Sequence, residues 1–198
     1  MGRAVEVSSL DRWLEEARQG TPRFIVLSGE PGMGTTRLAD EVQARARQAG
    51  MRVLAGRCFE DVAVPYLPMV TALRPLIASD SAPALEPLLG RGALSAAGEP
   101  NDLALYIGVS ETLLDASKDT PFLLALDALQ WADRATLDLL AHVVGAIAQA
   151  ASDGGVPACV LLTVSDLDAD APAHRTLRRI AREPGARALE LRGLDAVE

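Results

Sequence analysis

Four consecutive apolar residues, Phe24-Ile25-Val26-Leu27, lead almost directly into Gly29-Glu30-Pro31-Gly32-Met33-Gly34-Thr35-Thr36, and a helical pattern starts where that stretch ends. An apolar run of this length reads as a strand buried on both faces. Leu38, Val42 and Ala46 recur at helical spacing through about Ala49, and Gly50 stands where a left-handed cap belongs. A strand, a glycine loop and a helix in that order make a cradle for phosphate. Backbone N–H groups close around anionic oxygens at the positive end of the helix dipole. The matching pattern is G-x-x-x-x-G-K-[ST], whose lysine reaches the β/γ-phosphates and whose last hydroxyl holds Mg²⁺. Gly29, Gly34 and Thr36 are in register, but the lysine position is Thr35. The loop is therefore expected to hold a nucleotide and to be poorly equipped to hydrolyse it. A ligand-free turn would use the same glycines and is the lesser alternative, one to which the missing charge lends its weight. A dinucleotide fingerprint fits worse, because no G-x-G-x-x-G lies over these residues.

The rest of the chain alternates between the two periodicities. An amphipathic helix is predicted from about Glu6 to Arg18, with Leu10, Trp13, Leu14 and Ala17 on one face. Met51 to Leu54 reads as a second strand, Phe122 to Leu126 as a third ending at Asp127, Cys159 to Val164 as a fourth and Ala188 to Leu191 as a fifth. Helices are expected over Met69 to Ile77, Asp102 to Ser117 and Arg175 to Arg182, and Asp133 is a suitable N-cap for a helix carrying Leu137, Leu140, Val144 and Ile147. Residues 58–100 read as an insertion of helices and loops between strands two and three. Alternation of strands and helices implies an α/β fold, a parallel sheet covered by helices on both faces.

Asp127 ends an apolar strand, where an acid in such folds binds Mg²⁺ through water and supports the loop hydroxyl, here Thr36. A structural strand-end aspartate bonded to a loop is the plainer alternative. A second acid usually follows; its place is taken by Ala128.

With these features in place, the chain resembles the ATPase module of the signal-transduction P-loop ATPases, an AAA+-like branch found in large LuxR-type and MalT-type regulators and beside some nucleotide cyclases. The similarity rests on Gly2-Arg3 with Glu6 and Leu10, the loop from Gly29 to Ala39, Gly56-Arg57-Cys58 with Val64-Pro65-Tyr66, the segment Leu124 to Leu140, and Leu189-Glu190-Leu191 with Leu194. The resemblance implies a three-layer fold with strand order 5-1-4-3-2, ATP or ADP with Mg²⁺ as cofactors, and Gly2-Arg3 near the adenine side. It also implies a helical lid beyond Glu198, so that residues 1–198 would be a core without its lid.

Three departures from that family's pattern fall on its charged catalytic positions: Thr35 for the lysine, Ala128 for the second acid, and Ser165 where an arginine often follows the fourth strand. Losing a charge-assisted hydrogen bond costs about 1.5–3 kcal/mol, or roughly 10- to 150-fold in affinity. Losing a water-orienting acid costs on the order of 10²–10⁴ in rate. Turnover depends on charge stabilised in the transition state, so these losses are expected to damage hydrolysis more than binding. Arg37 lies about 200° around the helix from the lysine position and is not expected to substitute for it.

Composition narrows the partners. With 27 acidic and 19 basic residues, a formal net charge of −8 disfavours a phosphate-neutralising surface, so nucleic-acid binding by this chain is not expected. Cys58 and Cys159 have no metal or disulfide spacing, which points to a reduced, cytoplasmic setting. No apolar run is read as approaching the roughly 20 residues of a membrane span. His142 is expected to be a partly buried structural residue, His174 exposed, and Trp131 packed beneath the Asp127 strand end. Arg175, Arg178, Arg179 and Arg182 read as a solvated basic stripe. The expected function is a nucleotide-binding regulatory or assembly module with impaired hydrolysis, working with other protein domains or subunits. An active ATPase and a nucleotide-free interaction scaffold are the alternatives.

Overall fold

The computed structural model describes residues 3–62, 64–77, 85, 88, 102–165 and 171–193. Five parallel strands form one sheet: β1 (Arg23–Gly29), β2 (Arg52–Arg57), β3 (Phe122–Asp127), β4 (Ala158–Val164) and β5 (Ala186–Leu191). Their order is β2-β3-β4-β1-β5, the order implied by the resemblance. Every residue of β4 and all of β3 except Asp127 is buried, because helices cover both faces and leave no position to solvent.

Alternation along the strands assigns each side chain to a layer. Leu123, Ala125, Cys159, Leu161, Ile25 and Leu27 pack against α1 (Ala4–Arg18) and α2 (Thr35–Gln48). Leu124, Leu126, Val160 and Leu162 face the opposite layer. That layer comprises α3 (Leu67–Ile77), α4 (Asp102–Asp119), α5 (Arg134–Asp153) and α6 (Pro172–Ile180). Each layer excludes water from one sheet face, and the period-2 pleat supplies both with apolar residues.

Most boundaries move by a few residues. The first helix begins at Ala4 rather than Glu6, and the second strand runs from Arg52 to Arg57 rather than ending at Leu54. The last helix is Pro172–Ile180, earlier than the expected Arg175 to Arg182. Its proline occupies the first turn, where a missing N–H costs nothing and the fixed φ suits a helix. Asp133 caps α5 as expected, accepting the Thr136 N–H at 2.9 Å. Within the expected 58–100 insertion, α3 packs on β2; much of the remainder lies outside the described residues, as do Gly2 and Leu194.

Two expectations are corrected. Trp131 is 42% exposed rather than packed as core, because it lies on a 3₁₀ turn (Leu129–Trp131) whose buried member is Leu129. His174 is half-buried rather than exposed, since α6 starts early enough to place it one residue past buried Ala173. A third point concerns α5: an 18-residue window within its 20 residues has a mean hydropathy of 1.3, long and apolar enough to span a membrane, contrary to the reading that no such stretch exists. Here Leu137, Leu140, Val144 and Ile147 are buried in the hydrophobic core, so the helix serves as a core element of this fold.

Candidate functional site

Parallel strands point their C-terminal ends the same way, so the loops after β1, β2, β3 and β4 gather at one edge of the sheet. The first of these is the glycine loop. Gly32 and Gly34 have φ of +88° and +84°, a left-handed conformation that side-chain-bearing residues resist. Gly34 is the N-cap of α2 and no side chain caps that end. The amides of its first turn are therefore left for an outside acceptor, as a phosphate cradle requires. Thr35 and Thr36 begin the helix, and Arg37 is exposed. Arg3 braces the loop from the other side: its Nη2 donates to the Met33 carbonyl at 2.7 Å and to the Arg192 carbonyl at 3.2 Å. Glu6 lies 3.6 Å from the same guanidinium.

Asp127, at the end of β3, is where the loops converge. Thr36 Oγ1 donates to its carboxylate, 3.1 Å from Oδ1 and 3.2 Å from Oδ2. Thr163 Oγ1, on the adjacent β4, donates to Oδ1 and in turn accepts the Ala128 N–H at 2.8 Å. Arg57 closes the remaining side, with Nε 3.2 Å from Oδ2. The carboxylate is 14% exposed, so these partners replace most of its water. The sheet dictates this meeting: Arg57 and Asp127 are register partners across β2 and β3. Gly56 sets the height of Arg57, because an added Cβ there would lie 2.0 Å from the Pro68 carbonyl oxygen of α3.

The two other altered positions are held by the protein's own groups. Ala128 sits in the left-handed region at φ 61°, with no acid to offer. Ser165 and Gln130 bond reciprocally: Gln130 Nε2 donates to Ser165 Oγ at 2.8 Å, and the Ser165 N–H donates to Gln130 Oε1 at 3.2 Å. Where the resemblance implied a cation, this chain has a neutral amide–hydroxyl pair.

The structure thus brings together Thr36 and Asp127, as predicted, beside the loop from Gly29 to Thr36. Arg57, Thr163 and Gln130 were not read as site residues. Arg57 had only an indirect signal: the resemblance implied that the second strand lies beside the Asp127 strand, but that second strand was expected to end at Leu54, short of Arg57. Gln130 had none, because its partner lies 35 residues away. His142 is half-buried against the Tyr106 ring, with centroids 5.6 Å apart, away from these loops. Burial, with Arg179 adding a smaller effect, holds its pKa below the usual value.

The fold recurs among solved structures of replication proteins. AMPPCP-bound DnaA from Aquifex aeolicus superposes with a TM-score of 0.53 at 17% identity, over 96% of this chain and 46% of that one. DnaA bound to AMPPCP and single-stranded DNA gives 0.54 at 18% identity, over 97% and 47%. Drosophila ORC bound to AT-rich DNA and Cdc6 gives 0.54 at 12% identity, over 97% and 29%. The chain thus spans less than half the length of these proteins, and identities this low speak to fold alone. No curated protein matches the sequence. A family profile described as AAA ATPase domain, however, matches residues 1–161, from the first helix through the core of β4. The loop, the Thr36–Asp127 pair and the sheet order agree with that match, and the chain belongs to the AAA ATPase domain family.

Proposed function

We propose that this domain binds ATP or ADP as a regulatory or assembly module and hydrolyses it slowly or not at all. The uncapped amides at the start of α2, with the glycine loop that precedes them, would take the phosphates, while the Met33 N–H already donates to the Glu30 carbonyl at 3.1 Å. Thr36 and Asp127 offer Mg²⁺ the hard oxygen donors it prefers, so the donor set fits that ion by chemistry. Thr36 and Asp127 would hold the ion, whose contribution would be to screen phosphate charge.

The observation that carries the reading is what stands at the three altered positions. Thr35 has no charge, Ala128 has no carboxylate, and Ser165 is tied to Gln130. Grip by backbone amides survives all three changes, whereas transition-state charge stabilisation loses at each. A module that reports nucleotide occupancy to neighbouring domains, as in the signalling regulators it resembles, needs only the first property. Two similar structures contain DNA, but the net charge of −8 makes protein the better partner for this domain. A cytoplasmic setting belongs to the same proposal.

Restoring the missing cation tests it. Thr35→Lys is expected to tighten ATP binding by about 10-fold or more. Steady-state hydrolysis should stay slow or absent, because Ala128 still offers no carboxylate to orient water. Substantial turnover from that single change would show that hydrolysis lacked only the lysine. Failure of both proteins to bind ATP at millimolar concentration would favour a nucleotide-free scaffold.

A further inference from the structure

We infer that Arg57 supplies the cation of this site, so that nucleotide binding does not depend on Mg²⁺. The inference rests on the nucleotide reading above and concerns how the site balances charge once its lysine is gone. Two features place Arg57 there: its register pairing with Asp127, and the tight approach of Pro68 to Gly56 that fixes the end of β2. Its Nε lies 3.2 Å from the same carboxylate that accepts the Thr36 hydroxyl, so a single carboxylate separates the guanidinium from the mouth of the loop.

The contacts of Asp127 argue against a strong demand for metal. Oδ1 accepts from Thr36 and Thr163, while Oδ2 accepts from Thr36 and faces Arg57. A dication bound between Thr36 and Asp127 would displace the Thr36 bond and stand beside a fixed positive charge. The Asp127 carboxylate already has a counter-charge, so metal would add repulsion along with attraction. Arg57 itself is 55% exposed, and a guanidinium carries five N–H donors in a planar fork. It can keep its Asp127 contact and present other donors to a phosphate oxygen, a geometry guanidinium groups suit.

Calorimetric titration of ATP, once with excess Mg²⁺ and once with EDTA, tests this on the wild type, Arg57→Gln and Arg57→Lys. In the wild type the two dissociation constants should agree within about threefold, well below the roughly tenfold worth of one charge-assisted contact. Arg57→Gln should bind about 10-fold or more weakly in EDTA and recover when Mg²⁺ is added. Arg57→Lys should retain metal-independent binding, which separates charge from strand-end packing. Wild-type binding that requires Mg²⁺, with Arg57→Gln behaving the same, would overturn the role of Arg57 and leave the nucleotide reading standing. Absence of binding in all three proteins under both conditions would overturn both.

Discussion

Thr163 is 2% exposed, and its hydroxyl satisfies two groups at once, accepting from the Ala128 N–H and donating to Asp127. Thr163→Val keeps the volume and removes both bonds, leaving a buried amide without that acceptor. The variant is expected to lose about 1–3 kcal/mol in urea unfolding, whereas Thr163→Ser should retain most of the stability. Equal stability of the valine variant and the wild type would mean the hydroxyl does not hold the β3–β4 edge together. At this scale the sequence was legible for Thr36 and Asp127, whose residue types and positions after strands imply their contact. It was silent on Gln130 and Ser165, since a bond between two loop side chains follows no local period.

Among the elements, α5 depends most visibly on one polar residue. Asp133 accepts the Thr136 N–H at 2.9 Å and also the Thr136 hydroxyl, closing the start of a 20-residue helix. Asp133→Ala should cost about 0.5–2 kcal/mol in thermal or chemical unfolding, and Asp133→Asn should cost less. No change on truncation would place the helix start elsewhere. β3 and β4 were legible because buried strands read as continuous apolar runs, and the cap because aspartate precedes the periodic stretch. Trp131 misled for a physical reason: a large aromatic beside a buried strand end normally packs inward. Here a single 3₁₀ turn buries Leu129 and turns the indole toward solvent.

For the molecule as a whole, two thiols report on the two layers. Cys58 belongs to the core beneath α3, α4 and α5, and Cys159 to the core beneath α1 and α2. Burial pushes both thiols up to about 12, with the Asp133 and Asp127 charges adding to the effect at Cys58. At pH 8 a disulfide reagent should therefore leave both unmodified in the folded protein and label them together across the unfolding transition. Labelling of Cys58 with the helical circular dichroism intact would show that the β2 side opens on its own. Strand order at this scale came from the resemblance, because alternating strands and helices imply a parallel sheet without fixing which strand lies beside which. The ion pair of Arg57 with Asp127 depends on that order, and so it became visible only with the fold.

The central claim is that main-chain amides hold a nucleotide's phosphates where the lysine is replaced by Thr35. Backbone amide chemical shifts recorded while ATP is titrated into the ¹⁵N-labelled protein test it most directly. The account predicts saturating shifts concentrated at Gly32, Met33, Gly34, Thr35 and Thr36. Amides of that loop unmoved at millimolar ATP, or shifts gathered at another face of the domain, would contradict it.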